Sequence, residues 1–235
     1  WGFGGHGRLG QNKDIDMTST PTAITLDAQS HKCSGSSTRR FQTLVTKQAH
    51  TYQEEGDQKD NNEPATRIID VGAGAKHSMY CTSQGHVYTW GANDCGQLGN
   101  RRNGADPSIP EQVKAHVGGL RIVSVACGAN HCMCVTARGD LYTWGLGTSG
   151  QLGHGSMDNM DTPNVIQLLQ GKNVVLAVGG EDNSGCVTDT GDLYTWGAGE
   201  MGKLGHGSGM TSSLLPRLIR GDLQDKNVKQ LSLGL

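Results

Sequence analysis

The sequence predicts an all-β propeller of four-stranded blades, on three observations: a repeat of just over fifty residues, a glycine content that demands constant turning, and short strands that are bulky on both faces. Self-similarity comes first, because a fixed period decides an architecture. Val87-Tyr-Thr-Trp-Gly91, Leu141-Tyr-Thr-Trp-Gly145 and Leu193-Tyr-Thr-Trp-Gly197 are copies of one pentapeptide, and Trp1-Gly2 is the tail of another. From Trp90 to Trp144 is 54 residues, and from Trp144 to Trp196 is 52.

Other landmarks keep the same register. Sixteen residues before each full-copy Trp stands a glycine closing an apolar run (Gly74, Gly128, Gly180), and Gly234 closes a further run over 228–233. Eight residues after each Trp comes a Leu-Gly pair, whose glycines are Gly10, Gly99, Gly153 and Gly205. About twenty residues after each Trp a proline precedes an aliphatic residue by three, as in Pro110 with Val113 and Pro163 with Ile166. Each unit reads as strands joined by tight turns. Residues 122–127 and 132–136 are two such strands, 137–140 a turn whose Arg-Gly step supplies a positive φ, and 141–144 the next strand. No segment holds a capped 3.6-residue period. Strands apolar on both sides belong in sheets stacked between sheets, which a propeller provides.

Glycine numbers 36 in 235 residues, about twice the usual share. Apolar residues alone reach only 34%, and glycine brings the total near half, so a core can be buried provided the chain turns often. The register divides the chain into the end of a first blade (1–27), a polar loop insertion (28–63), three full repeats (64–118, 119–171, 172–224) and the start of another (225–235). The insertion is rich in Ser, Thr, Gln and charged residues, too polar to offset the entropy of ordering it.

Trp90-Gly-Ala-Asn-Asp-Cys-Gly-Gln-Leu-Gly99, Trp144-Gly-Leu-Gly-Thr-Ser-Gly-Gln-Leu-Gly153, Gly74-Ala-Lys-His77 and Gly128-Ala-Asn-His131 together resemble the regulator-of-chromosome-condensation repeat family. The resemblance covers everything but 28–63. It implies a seven-bladed ring, for which three full and two part repeats are too few. Further blades are therefore expected from the same chain or from a partner. It also implies that residues between the glycine and the histidine lie on loops of one propeller face. In the member that exchanges nucleotide on the GTPase Ran, such residues touch the GTPase.

Here those loops carry Lys76, Asn130, Glu181 and Asp182, which differ in charge from blade to blade as a surface tailored to one partner would. Solvated turn residues are the plainer reading. His77 and His131 stand thirteen residues before a Trp, where the third copy has Asn183. A histidine bonding a turn is therefore expected, not a shared metal or catalytic role. His154 and His206 look like turn residues. Cys127, Cys132 and Cys134 lack a Cys-x-x-Cys pairing; Cys132 and Cys134 alternate and could face one ligand, but core packing is the simpler reading. No cofactor, metal or catalytic residue is expected. Gly74, His77, Trp90, Gly99, Gly128, His131, Trp144, Gly153, Gly180, Trp196 and Gly205 are structural repeat positions.

A net charge of −2 offers no pull toward nucleic acid or anionic membrane, and no apolar run approaches the roughly 20 residues of a membrane span. Seven cysteines, an odd number without a secretory signal, fit a reducing cytoplasmic or nuclear compartment. The expected function is a protein-interaction propeller, a scaffold or regulatory module of a larger protein or complex, and not an enzyme. The alternative is a guanine-nucleotide exchange factor for a Ran-like GTPase.

Overall fold

A computed structural model of the chain describes residues 65–101, 107–207, 209–223 and 226–234, and four short strands before them. Gly2–Phe3 (β1) pairs with Met17–Thr18 (β2), and Ile24–Leu26 (β3) with His31–Cys33 (β4). The rest of the first part-repeat and of the 28–63 segment lies outside the described residues.

Three four-stranded antiparallel meanders follow. The first holds Ile68–Ala73 (β5), His77–Thr82 (β6), Val87–Gly91 (β7) and Glu111–Gln112 (β8). The second holds Ile122–Cys127 (β9), His131–Thr136 (β10), Leu141–Gly145 (β11) and Met160–Val165 (β12). The third holds Val174–Gly179 (β13), Asn183–Thr188 (β14), Leu193–Ala198 (β15) and Ser212–Leu218 (β16). The register puts each Trp opposite the residue after the histidine position: Trp90 faces Ser78, Trp144 faces Cys132 and Trp196 faces Ser184. Among the described residues the helical structure consists of single 3-10 turns.

Successive sheets are locked together at two levels. The hairpin after each second strand turns on a glycine (Gly85, Gly139, Gly191) whose carbonyl accepts an N–H at the start of the next unit: Ile122 at 3.1 Å, Val174 at 2.9 Å and Val228 at 3.2 Å. These glycines have φ of 87°, 79° and 85°. A Cβ on Gly85 would also lie 2.7 Å from the Arg121 Cα, so both the dihedral and the close approach require glycine. The second level is the core. Cys132 and Cys134 of β10 face back to Met79, Cys81 and Val87, while Met133 and Val135 of the same strand face forward to Val174, Ala177 and Cys186. That two-sided burial is the reason the strand lacks a polar face.

Residues 226–234 carry no strand, yet they lie against the third sheet where β9 and β13 lie against theirs. A Cβ on Gly180 would be 2.7 Å from the Gly234 carbonyl, just as one on Gly128 would be 2.6 Å from that of Gly180. A Cβ on Gly185 would be 2.7 Å from Leu231.

Candidate functional site

The loops joining β5 to β6, β9 to β10 and β13 to β14 sit side by side on one face. Ala75 N–H donates to the Ala129 carbonyl at 2.9 Å, and Ala129 N–H to that of Gly180 at 3.1 Å, so each loop is tied to the next. Each also receives a bond from its own blade: Lys76, Asn130 and Asp182 carbonyls accept the N–H of Ala92, Leu146 and Ala198 at 2.8–2.9 Å. On this frame the side chains differ in exposure. Lys76 and Glu181 are exposed, and Asn130 and Asp182 half-buried. The face thus reads Lys, Asn, Glu-Asp across three blades. Asp182 Oδ1 accepts a bond from Gln151 Nε2 at 3.2 Å, which connects this face to the interface below it.

Beneath the loops, one polar chain is repeated at both blade interfaces. Between the second and third sheets, His131 Nε2 lies 2.8 Å from Ser184 Oγ, and Ser184 Oγ–H donates to the Gln151 carbonyl at 2.8 Å. Because the hydroxyl proton is used there, Ser184 accepts from His131 Nε2–H, leaving Nδ1 as a bare lone pair with no partner among the described residues. Trp196 Nε1–H donates to the same Gln151 carbonyl at 2.8 Å, filling its second lone pair. Between the first and second sheets the counterparts are His77 Nε2 to Cys132 Sγ at 3.1 Å, Cys132 to the Gln97 carbonyl at 3.2 Å, and Trp144 Nε1–H to that carbonyl at 2.9 Å. Burial holds His131 neutral, with the neighbouring His77 adding to the effect, and brings its pKa down to about 3.

The histidines therefore bond a side chain of the following blade, not a turn as the spacing alone suggested. His154 and His206 also look past their turns: their Nε2 atoms reach Thr143 Oγ1 at 2.9 Å and Thr195 Oγ1 at 3.0 Å. The repeat glycines have steric reasons. A Cβ on Gly74, Gly128 or Gly180 would collide with the side chain of His77, His131 or Asn183. One on Gly99 or Gly153 would lie 2.8 Å from Nε1 of Trp144 or Trp196. Trp90, on the first sheet, packs against Tyr80 at 5.9 Å between ring centroids.

One grouping escaped the sequence reading. Cys132 and Cys134 both pack in the apolar core with Cys81, as the simpler reading expected, and burial pushes the Cys134 thiol pKa up and that of Cys81 up to about 12. Cys132 is also joined by Cys127, its cross-strand partner, and by His77 of the preceding blade. Their ligand atoms all lie within 4.8 Å of one another. Burial alone would raise the Cys127 pKa. The nearby Cys132 and His77 together outweigh that and lower it, while Cys132 is raised, first by burial. In sequence the signal was hidden, because His77 is 55 residues from Cys132.

Similarities to known proteins agree with this architecture. The regulator of chromosome condensation (RCC1) repeat pattern matches residues 84–135, 138–187 and 190–234. The human E3 ubiquitin-protein ligase HERC2 is 41% identical over 143 residues, which are 59% of this chain and 3% of HERC2. The Arabidopsis thaliana ultraviolet-B receptor UVR8 is 37% identical over 172 residues, 70% of this chain and 38% of the receptor. The chain thus spans only a small part of the first relative and under two-fifths of the second. Among solved structures, human WBSCR16 superposes with a TM-score of 0.65 at 28% identity, over 72% of this chain and 43% of that one. Prp20p of Saccharomyces cerevisiae, studied for its binding to Gsp1p and histones, gives 0.63 at 24%, over 72% of this chain and 42% of that one, a likeness of fold alone. With the repeat pattern matched over more than half its length, the chain belongs to the regulator of chromosome condensation (RCC1) repeat family, and its stacked sheets are blades of a β-propeller.

Proposed function

We propose that this chain is a protein-binding part of a larger propeller, a scaffold or regulatory module, with the face bearing Lys76, Asn130, Glu181 and Asp182 as its contact surface. The observation that carries the reading is the loop ladder. Backbone bonds hold these loops to one another and to their own blades, so the charged side chains start from a fixed frame and lose little entropy on binding. The charge pattern changes sign along the ladder, which favours a partner of matching pattern over a generic polyanion. Cys81, Cys95, Cys127, Cys132, Cys134 and Cys186 are free thiols, in keeping with a cytoplasmic or nuclear setting. Among those residues no helix is long and apolar enough to cross a membrane.

The test is charge reversal at the two ends of the ladder. Lys76→Glu and Asp182→Lys are expected to weaken retention of the native partner about tenfold each, as rim charges do. The melting temperature should stay within about 2 °C for Lys76→Glu, an exposed substitution that costs under about 0.5 kcal/mol, and fall slightly further for Asp182→Lys, which also loses the Gln151 bond. A large loss of stability would make these residues structural.

The exchange-factor reading rests on Glu181 and Asp182, the acidic side chains of the ladder. It is tested by nucleotide release from a panel of small GTPases. Acceleration at micromolar protein that is lost in Asp182→Lys would favour it, and no acceleration would remove it. The ligase activity of HERC2 is not carried over, because the likeness covers so little of that protein.

A further inference from the structure

We propose that His77, Cys127 and Cys132 form a binding site for a thiophilic closed-shell cation, copper(I) or zinc(II), spanning the interface between the first two blades. Three observations carry it. Two sulfurs and one imidazole nitrogen, from β6, β9 and β10, lie within 4.8 Å of one another. A cation bound at about 2.0–2.3 Å needs its donors about 4 Å apart, so the cluster can close on one with small side-chain shifts. Second, the structural requirement of the interface is met without this set. The next interface makes the same bonds with Ser184, and the position of Cys127 is there taken by Gly179. Two thiols in place of a hydroxyl and a hydrogen add nothing to the hydrogen-bond chain, but they turn it into a soft donor set.

Third, the donors are held in usable states. The proton on His77 Nε2 is held by a weak bond to the Cys132 sulfur, and Nδ1 has no partner among the described residues, so the ring can change tautomer at small cost. Binding releases the thiol protons to solvent and moves the imidazole proton to Nδ1. That leaves a buried N–H without an acceptor, which holds the affinity below that of a four-ligand structural zinc site. Copper(I), satisfied by few soft ligands, suits the site better than zinc(II), which prefers a fourth. Gly72 makes room for the half-buried Cys127 sulfur: a Cβ there would sit 2.9 Å from it.

The experiment titrates the full chain, kept reduced and anaerobic, with zinc(II) against a chromophoric chelator and separately with copper(I) against bicinchoninate. The expected result is one equivalent bound by the wild-type chain. Affinity should fall at least 100-fold in the Cys127→Gly, Cys132→Ser double variant, which rewrites this interface as its neighbour. No binding of either cation, or binding unchanged in the variant, would overturn the proposal. A second measurement needs no variant: alkylation of the wild-type protein followed by peptide mass spectrometry. Metal should slow modification of Cys127 at least tenfold and leave Cys95, on the loop after β7, unchanged. Equal rates at Cys127 with and without metal, or equal protection of Cys95, would equally overturn it.

Discussion

Between the first and second blades the polar chain runs from His77 through Cys132 to the Gln97 carbonyl; between the second and third it runs from His131 through Ser184 to the Gln151 carbonyl. The topology and the tryptophan are the same, and the middle atom differs. An oxygen at 2.8 Å gives two strong bonds, whereas a sulfur at 3.1–3.2 Å gives two weak ones. The innermost strands differ in step. Gly179 lets β13 approach so closely that a Cβ on it would lie 2.6 Å from the carbonyl carbon of Cys127. At the same position of the first interface Cys127 itself occupies the gap, above Gly72. The second interface is thus built for tight polar packing, and the first gives up some of that for a pair of thiols. Each interface has its own chemistry on a common frame.

The largest effect should be shared by both. Trp144→Ala and Trp196→Ala each remove a fully buried indole and free one lone pair of a glutamine carbonyl. Each is expected to cost about 3–5 kcal/mol in denaturant unfolding. A marked inequality between the two would break the equivalence of the interfaces.

Acid comes next, and it reads the second interface. His131 is neutral when folded, with a pKa of about 3 against 6.5 for a free histidine. Above pH 6.5 neither state binds the proton and the stability is complete. Below it the unfolded chain takes up a proton that the folded chain refuses, so stability falls with pH down to about 3. The slope from this residue approaches about 1.4 kcal/mol per pH unit. His154 and His206, whose pKa values burial also lowers, act in the same direction. His131→Asn, the residue the third repeat carries as Asn183, should flatten the acid limb measured by urea titration across pH 4–7.

The middle atom supplies the finer distinction. Ser184→Ala strands His131 Nε2–H in a buried site and is expected to cost about 1–3 kcal/mol. Cys132→Ala removes weaker bonds and should cost less, about 1 kcal/mol. The smallest change is Cys132→Ser, expected within about 1 kcal/mol of wild type, because it installs the atom that the other interface already uses. Thermal melts of the three variants side by side would rank them; a Cys132→Ser protein as damaged as Ser184→Ala would show that the two interfaces are not interchangeable.

Much of this was legible in the chain itself, for reasons tied to single residues. A Trp every 52–54 residues marks the third strand of each blade because only the indole both fills the interface and reaches back to a carbonyl of the blade before. The Gly-x-x-His spacing was readable as structural, and its cause is the ring folding over the glycine. The loop residues Lys76, Asn130, Glu181 and Asp182 were placed by the same register. The destination of the histidine bonds was not readable, nor was the companionship of His77 with Cys127. Both depend on which faces of two different blades meet.

The sequence by itself determined the period, the strands and the turns, because these are set by local propensity and by alternation within one blade. Only the tertiary structure decided what lies across an interface. Side chains 50 or more residues apart meet there through the stacking of sheets, and no spacing along the chain encodes which sulfur will face which imidazole.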